Sequence, residues 1–166
     1  MPIEIERLFA GDEQRLRAIR LRALADAPEA FGTTFAEANA LGAADWREQL
    51  EQLTTFVATS GNSDVGIARG VCHPDHSDAA YLITMWVAPE FRRQGVGAAL
   101  IDSVVKWARS EGFRRIVLNV VESNAAALLL YRKNGFAANG NFGALPPPRQ
   151  HIRECQLEMT LAANRR

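Results

Sequence analysis

The chain has 166 residues, is 48% hydrophobic, and balances 19 basic against 19 acidic side chains. That length predicts one domain with a sizeable core, and the zero net charge offers no global field to gather nucleic acid or an anionic membrane. Its 2 cysteines and 3 histidines are scattered without CxxC or ligand spacing, and no run is long enough to span a bilayer or act as a signal core; the expectation is a cytoplasmic protein with no disulfide framework, no metal, no nucleic acid and no membrane.

Ile3 and Ile5 alternate with Glu4 and Glu6 and predict a first strand. Gly11-Asp12 opens a helix with Asp12 as N-cap and Leu16, Ile19 and Ala23 inside; Pro28 ends it. Pro28 to Phe35 is too irregular for one element, and Ala36 to Leu53 reads as helix broken at Gly42. Thr54–Thr59 and Val65–Val71 are strands around a Gly61-Asn62-Ser63-Asp64 hairpin turn. His73-Pro74-Asp75-His76 reads as a turn rather than a metal clip, because Pro74-Asp75 and Ser77-Asp78 are turn pairs. Tyr81–Val87 is a third strand, stopped by Pro89. After it, Gly97, Leu100, Ile101, Val104, Val105 and Ala108 mark a helix that Gly112 closes. Arg115–Val121 is a buried strand, Ser123 caps a helix over Asn124–Asn134, and Gly135 stops it. Phe136–Ala138 and Glu154–Leu161 form a last pair of strands around a flexible Gly/Pro-rich loop, Asn139–Gln150. This order predicts a mixed α/β sheet in a single domain over residues 1–166, about seven strands and four helices. It does not determine how the strands pair.

The most informative stretch is Arg92-Arg93-Gln94-Gly95-Val96-Gly97, a basic turn between a strand and a helix. The first helical N–H groups lack intrahelical partners and sit at the positive end of the macrodipole; Gly95 and Gly97 allow a ligand close to the backbone. Of the basic pairs Arg92-Arg93, Arg114-Arg115 and Arg165-Arg166, the first alone lies where a helix start can use it. A P-loop fails, since Ala98 and Ala99 replace the lysine and hydroxyl it needs. A dinucleotide fingerprint fails at Leu100, in its third glycine position, with no well-placed acid for a ribose.

The segment Arg92 to Leu100 resembles the pyrophosphate-binding motif of the GCN5-related N-acetyltransferase (GNAT) superfamily, R/Q-x-x-G-x-G/A. Met85-Trp86-Val87-Ala88-Pro89 looks like that family's fourth strand and Leu118-Asn119-Val120 like its fifth; Asn124-Ala-Ala-Ala-Leu128 and Tyr131-x-x-x-Gly135-Phe136 resemble the helix that follows. The likeness is specific from Tyr81 to Phe136. It implies the family's acyl-CoA N-acyltransferase fold and acetyl-CoA as co-substrate. By resemblance, backbone N–H groups of Gln94, Gly95, Val96, Gly97 and Ala98 hold the pyrophosphate, helped by the charge of Arg92 and Arg93. Met85, Trp86 and Val87 hold the pantetheine arm through their backbone, and a strand bulge around Trp86 or Val87 polarises the thioester carbonyl, a contact typically worth ~3 kcal/mol. Tyr131 is the expected general acid for the leaving sulfur, and Asn124 either touches the pantetheine or is an ordinary first-turn residue.

Asn119 stands where members acting on protein N-termini often carry Glu, which speaks against that activity. Glu37 and Glu122 are candidates for a general base that stays unassigned. The acceptor site is expected between Phe31–Asn39 and Asn139–Gln150, with Phe31, Phe35 and Phe142 as walls and an extended Pro146-Pro147-Pro148 stiffening one side. Neither loop carries the carboxylate cluster of a polyamine or aminoglycoside site. The expected function is acetyl transfer from acetyl-CoA to a primary amine of a small molecule. Acetylation of a protein lysine or N-terminus, and a non-catalytic acyl-CoA-binding regulatory module, stand as alternatives. A homodimer is left open as an assembly.

Overall fold

Alternation and turn chemistry produce the predicted strands, and tertiary pairing then orders them. The computed structural model describes residues 2–162. Strand β1 (Ile3–Leu8) leads to helix α1 (Glu13–Asp26), then α2 (Phe35–Asn39) and α3 (Ala43–Gln52). Strands β2 (Thr54–Ser60), β3 (Ser63–Cys72) and β4 (Ala79–Val87) follow, then α4 (Val96–Ser110), β5 (Arg115–Val121), α5 (Ala125–Lys133), β6 (Ala137–Ala144) and β7 (Arg153–Thr160). The seven strands form one sheet in the order β1-β2-β3-β4-β5-β7-β6. Every neighbouring pair is antiparallel except β4 and β5, which α4 joins as a parallel crossover.

The two faces of the sheet can be read from β3. Cβ atoms placed on Gly66 and Gly70 would meet Leu100 at 3.0 Å and the Trp107 ring at 2.5 Å, so these positions face α4. Arg69, between them in alternation, bonds Gln49 of α3 and so faces the opposite layer. Helix α4 buries Val96, Leu100, Ile101, Val104 and Ala108 on its side, while α1 buries Leu16, Ile19, Ala23 and Leu24 with Trp46 of α3 on the other. Because a rigid indole occupies the space a Cβ would need, Gly70→Ala is expected to destabilise the fold by about 1–3 kcal/mol, read as a lower midpoint in chemical denaturation. An unchanged midpoint would show that the ring moves aside freely.

Several local expectations need correction. Asp12 sits at the start of α1, but its carboxylate turns back to accept the Phe9 N–H at 2.9 Å instead of capping the helix. The cap of α5 is Asn124, whose Oδ1 accepts the Ala127 N–H at 3.2 Å, and Ser123 lies outside the helix. The helix count is as expected: the described residues hold four sizeable α-helices, with the short α2 set off from α3 at the expected Gly42 break. The supposed long loop Asn139–Gln150 is half strand: β6 runs to Ala144, held by β7 in spite of its glycines, and Phe136 precedes the strand. Tertiary pairing there overrides weak β propensity.

Candidate active site

The parallel contact between β4 and β5 is short. Ala79, Ala80 and Tyr81 pair with Arg115, Ile116 and Val117, and beyond that the strands diverge. A wedge therefore opens in mid-sheet between Leu82–Val87 and Leu118–Val121. Beside it Met85 of β4 meets Gly97 at the start of α4, and Met85 also lines a cavity of ≈ 590 Å³. Thr84, Met85, Val120, Asn124, Ala127 and Tyr131 line that cavity where it meets the wedge.

At the wedge, β4 carries a bulge. Ile67 pairs with Trp86 and Arg69 with Ile83, so two steps along β3 match three along β4. Thr84 takes up the extra residue in a left-handed conformation, φ 57°, uncommon for a β-branched residue. Buried Arg69 holds it there: Nε and Nη2 donate to Thr84 Oγ1 at 2.9 and 2.7 Å, and Nη1 donates to Gln49 Oε1 at 2.7 Å. The bulge thus lies at Thr84, earlier than the expected Trp86 or Val87. Its extra residue reverses the side-chain alternation downstream. Trp86 consequently points to the α1 side, where its Nε1 donates to Asp26 at 3.0 Å, while Met85 faces Gly97 of α4. Of Met85, Trp86 and Val87, Trp86 can reach the wedge only through its backbone.

The basic turn leaves backbone donors ahead of the α4 ladder, but not all of the residues expected to serve an anion are free to do so. Gly95 has φ 83° and open space around its Cβ position, the backbone freedom that the turn requires. The first bond of α4 runs from the Ala99 N–H to Gly95 O at 3.1 Å, leaving the N–H groups of Val96, Gly97 and Ala98 ahead of the helical ladder. No acidic side chain sits in that first turn. Gln94 folds back, its Nε2 donating to Glu90 O at 3.0 Å. Arg93 is exposed, in the left-handed region at φ 61°.

Arg92 and Gly97 depart from expectation. Arg92 donates through Nε to Val87 O at 2.9 Å and through Nη2 to Asp26 at 2.6 Å, so it clamps the turn to α1 rather than waiting for an anion. Asp26 gathers bonds from Trp86 and Arg92, which hold its carboxyl below the usual carboxylate range. Gly97 faces protein on its Cβ side: a Cβ there would lie 2.8 Å from Leu130, so its bareness lets α5 close on α4. Asn124 lines the cavity with its Oδ1 already engaged in capping.

Tyr131 is carried by α5 to the cavity wall, 6% exposed, its ring edge-on to Phe136 with centroids 5.8 Å apart. Burial pushes its hydroxyl above the ordinary phenol range, so it stays protonated at neutral pH.

The far wall is polar. Asn119 Nδ2 donates to Tyr81 Oη at 2.6 Å, Gln156 Nε2 donates to Asn119 Oδ1 at 3.3 Å, and Asn139 and Asn141 both donate to Gln156 Oε1. Beside this ladder, Glu154 of β7 lines the cavity, and burial pushes its carboxyl up. Glu122 lies off the cavity, its N–H on Arg153 O and its carboxylate 3.8 Å from the Arg153 guanidinium; Glu37 stands exposed at the rim. The roof joins the two segments expected to form the acceptor site. Arg149 donates to the carbonyls of Pro28, Phe31 and Gly32 at 2.8, 2.9 and 2.9 Å, tying the β6–β7 connection to the α1–α2 connection. The prolines there form a turn, closed by Arg149 N–H on Pro146 O at 2.9 Å, instead of an extended wall. Phe31 lines the cavity, whereas Phe35 and Phe142 are 43% and 63% exposed and lie outside it.

Sequence reasoning missed Arg20, Arg69, Thr84 and Glu154. Two of them left a signal: Arg20 lies four residues after Leu16 on the apolar stripe of α1, and Arg69 interrupts an apolar strand. A charge at core spacing is costly to bury and marks a site.

Glu154 also carries a stability prediction. Its folded pKa is raised, so the stability its neutral form contributes is present at low pH and lost as pH rises through that value. Glu154→Gln is expected to melt above the parent at about pH 7, the gap closing towards about pH 4. A gap that widens on acidification would refute the assignment.

The model of the acetyltransferase (GNAT) family matches residues 16–136. Over 59 residues the chain is 39% identical to the [ribosomal protein bS18]-alanine N-acetyltransferase of Escherichia coli K12, covering 36% of this chain and 40% of that one. Over 88 residues it is 32% identical to N-acetyltransferase 8F1 of Rattus norvegicus, covering 51% of this chain and 40% of that one. The chain thus spans about 40% of the length of these curated relatives. A GNAT-family acetyltransferase structure from Streptococcus pneumoniae superposes with a TM-score of 0.80 at 19% identity, covering 97% of this chain and 100% of that one, and so shares the fold. No described helix is long and apolar enough to cross a membrane.

Proposed function

This chain belongs to the acetyltransferase (GNAT) family, and from that premise we propose that it transfers an acetyl group from acetyl-CoA to the primary amine of a small molecule. The observation that carries the reading is the wedge between β4 and β5, where Met85 joins the start of α4 to a cavity lined by Tyr131. Acetyl-CoA supplies the acetyl group as a thioester. The N–H groups at the start of α4 bind its pyrophosphate, with Arg93 adding charge and Arg92 positioning the turn. Backbone freed by the Thr84 bulge polarises the thioester carbonyl. The amine nitrogen bonds to the carbonyl carbon as the carbon–sulfur bond breaks. Tyr131 gives its proton to the departing sulfur, and the Glu154 carboxylate takes the proton the nitrogen loses. The Tyr131 phenolate then regains a proton from solvent, and Glu154 returns its own.

The roof over the cavity favours a small acceptor over a protein chain. Arg149 bridges the two connections that would have to part to admit a polypeptide, and Asn119 replaces the acid that resemblance associates with N-terminal acetylation. Release of free thiol from acetyl-CoA with a panel of small amines tests the reading. Turnover supports it. Tight acetyl-CoA binding without turnover of any amine would instead favour a regulatory acyl-CoA-binding module.

A further inference from the structure

The cavity contains two buried guanidiniums that no carboxylate neutralises. Arg20 is 5% exposed on the inner face of α1, its guanidinium 5.2 Å from the centroid of the Phe31 ring. Its Nη1 is buried without a hydrogen-bond partner among the described residues. Arg69 is also 5% exposed, and its donors go to neutral oxygens of Thr84 and Gln49. Both line the cavity, and each lacks a salt-bridge partner among the described residues. A buried charge is ordinarily paired, because an unpaired one forfeits its hydration. Burial pulls Arg20 down to about 10, and burial, helped by the Arg20 charge, pulls Arg69 down too; Arg20 remains cationic at neutral pH.

The anionic side of the cavity is elsewhere. Glu154 stands on β7 beside the Tyr81–Asn119–Gln156 ladder, and Glu37 is exposed at the rim. The lining therefore combines guanidiniums from α1 and β3 with a carboxylate from β7. Arg20 brings a planar guanidinium to the cavity lining, and a planar carboxylate matches such a group best.

We propose that the acceptor is an amino acid or a similar small amino-carboxylate, its carboxylate held by Arg20 in the field of Arg69 while its amine faces Glu154 and the wedge. This deepens the acetyl-transfer reading and rests on it. Its basis is the unpartnered Arg20 at the cavity wall, with Arg69 and the β7 residue Glu154 lining the same cavity. The cavity of ≈ 590 Å³ has the size of a small-ligand site.

The test compares amino acids with their decarboxylated amines. Parent protein, Arg20→Met and Arg20→Lys are incubated with acetyl-CoA and matched pairs such as tyrosine and tyramine, histidine and histamine, or leucine and isoamylamine, alongside tripeptides with free N-termini. Thiol release is followed, acetyl-CoA affinity is measured by calorimetry, and melting temperature is recorded. The expected result is an amino acid favoured over its decarboxylated partner by about 30-fold or more in kcat/KM. In Arg20→Met that preference falls to about threefold or less, chiefly through KM, with a melting temperature no lower than the parent's, since an apolar side chain replaces an unpaired buried charge. Arg20→Lys restores part of the preference. Equal turnover of both members, preference for the amine, or reaction of tripeptides alone would overturn the proposal while leaving acetyl transfer intact. Tight acetyl-CoA binding with no thiol release from any member would overturn both. A preference unchanged in Arg20→Met, accompanied by a lower melting temperature, would make Arg20 a structural residue and also overturn the proposal.

Discussion

Tyr131→Phe is expected to lower kcat for thiol release by about 10²–10⁴-fold, the usual worth of a positioned general acid, while acetyl-CoA affinity stays within about threefold. The reason is the environment of the hydroxyl. The phenol is buried at the cavity wall, so it holds its proton at neutral pH. Phenylalanine keeps the ring packed edge-on to Phe136 and removes only the oxygen. Steady-state kinetics and calorimetry on the same variant separate the outcomes. An unchanged kcat means that the sulfur leaves without this acid, whereas equal losses in kcat and affinity mean that the hydroxyl binds cofactor.

Gly97→Glu should weaken acetyl-CoA binding by about 100-fold or more, since like charges brought together in a site cost several kcal/mol. The physical route differs from the simple one suggested by a glycine-rich turn. A Cβ at Gly97 points at Leu130 and, at 3.4 Å, at Met85, so the glutamate would enter the junction of α4, α5 and β4 where the wedge begins. Gly97→Ala separates charge from crowding. It meets the end of a half-buried leucine that can turn away, and its affinity should stay within about threefold of the parent. Retained binding by a folded Gly97→Glu would remove the cofactor from this end of the sheet.

These outcomes bear on how a sequence announces a site. The basic turn was legible because its chemistry is local: two glycines, a helix start and two arginines act within a few residues. Even so, the roles within it were redistributed. Arg92 went to Asp26 of α1, distant in sequence, and Gly97 to α5, neither of which a local pattern can foresee. The bulge was expected in β4 but placed too late, because the residue that absorbs it is selected by buried Arg69 in the neighbouring strand. Glu154 went unnoticed because the cavity it lines is completed by residues far away in the chain, and nothing in the run Glu154–Leu161 distinguishes a cavity-facing carboxylate from a solvated one.

By itself the sequence determined the order and type of nearly every element, the helix stops at Gly112 and Gly135, and the glycine-containing basic turn that opens α4. Hydrophobic period, turn chemistry and the helix dipole act over a few residues and are written in contiguous chain. Only the tertiary structure decided the strand order, the parting of β4 from β5, and the meeting of Arg20, Arg69 and Glu154 around one cavity. Those depend on contacts between residues far apart in the chain, where the energy of burying a charge or closing two helices is set by a partner that no local pattern names.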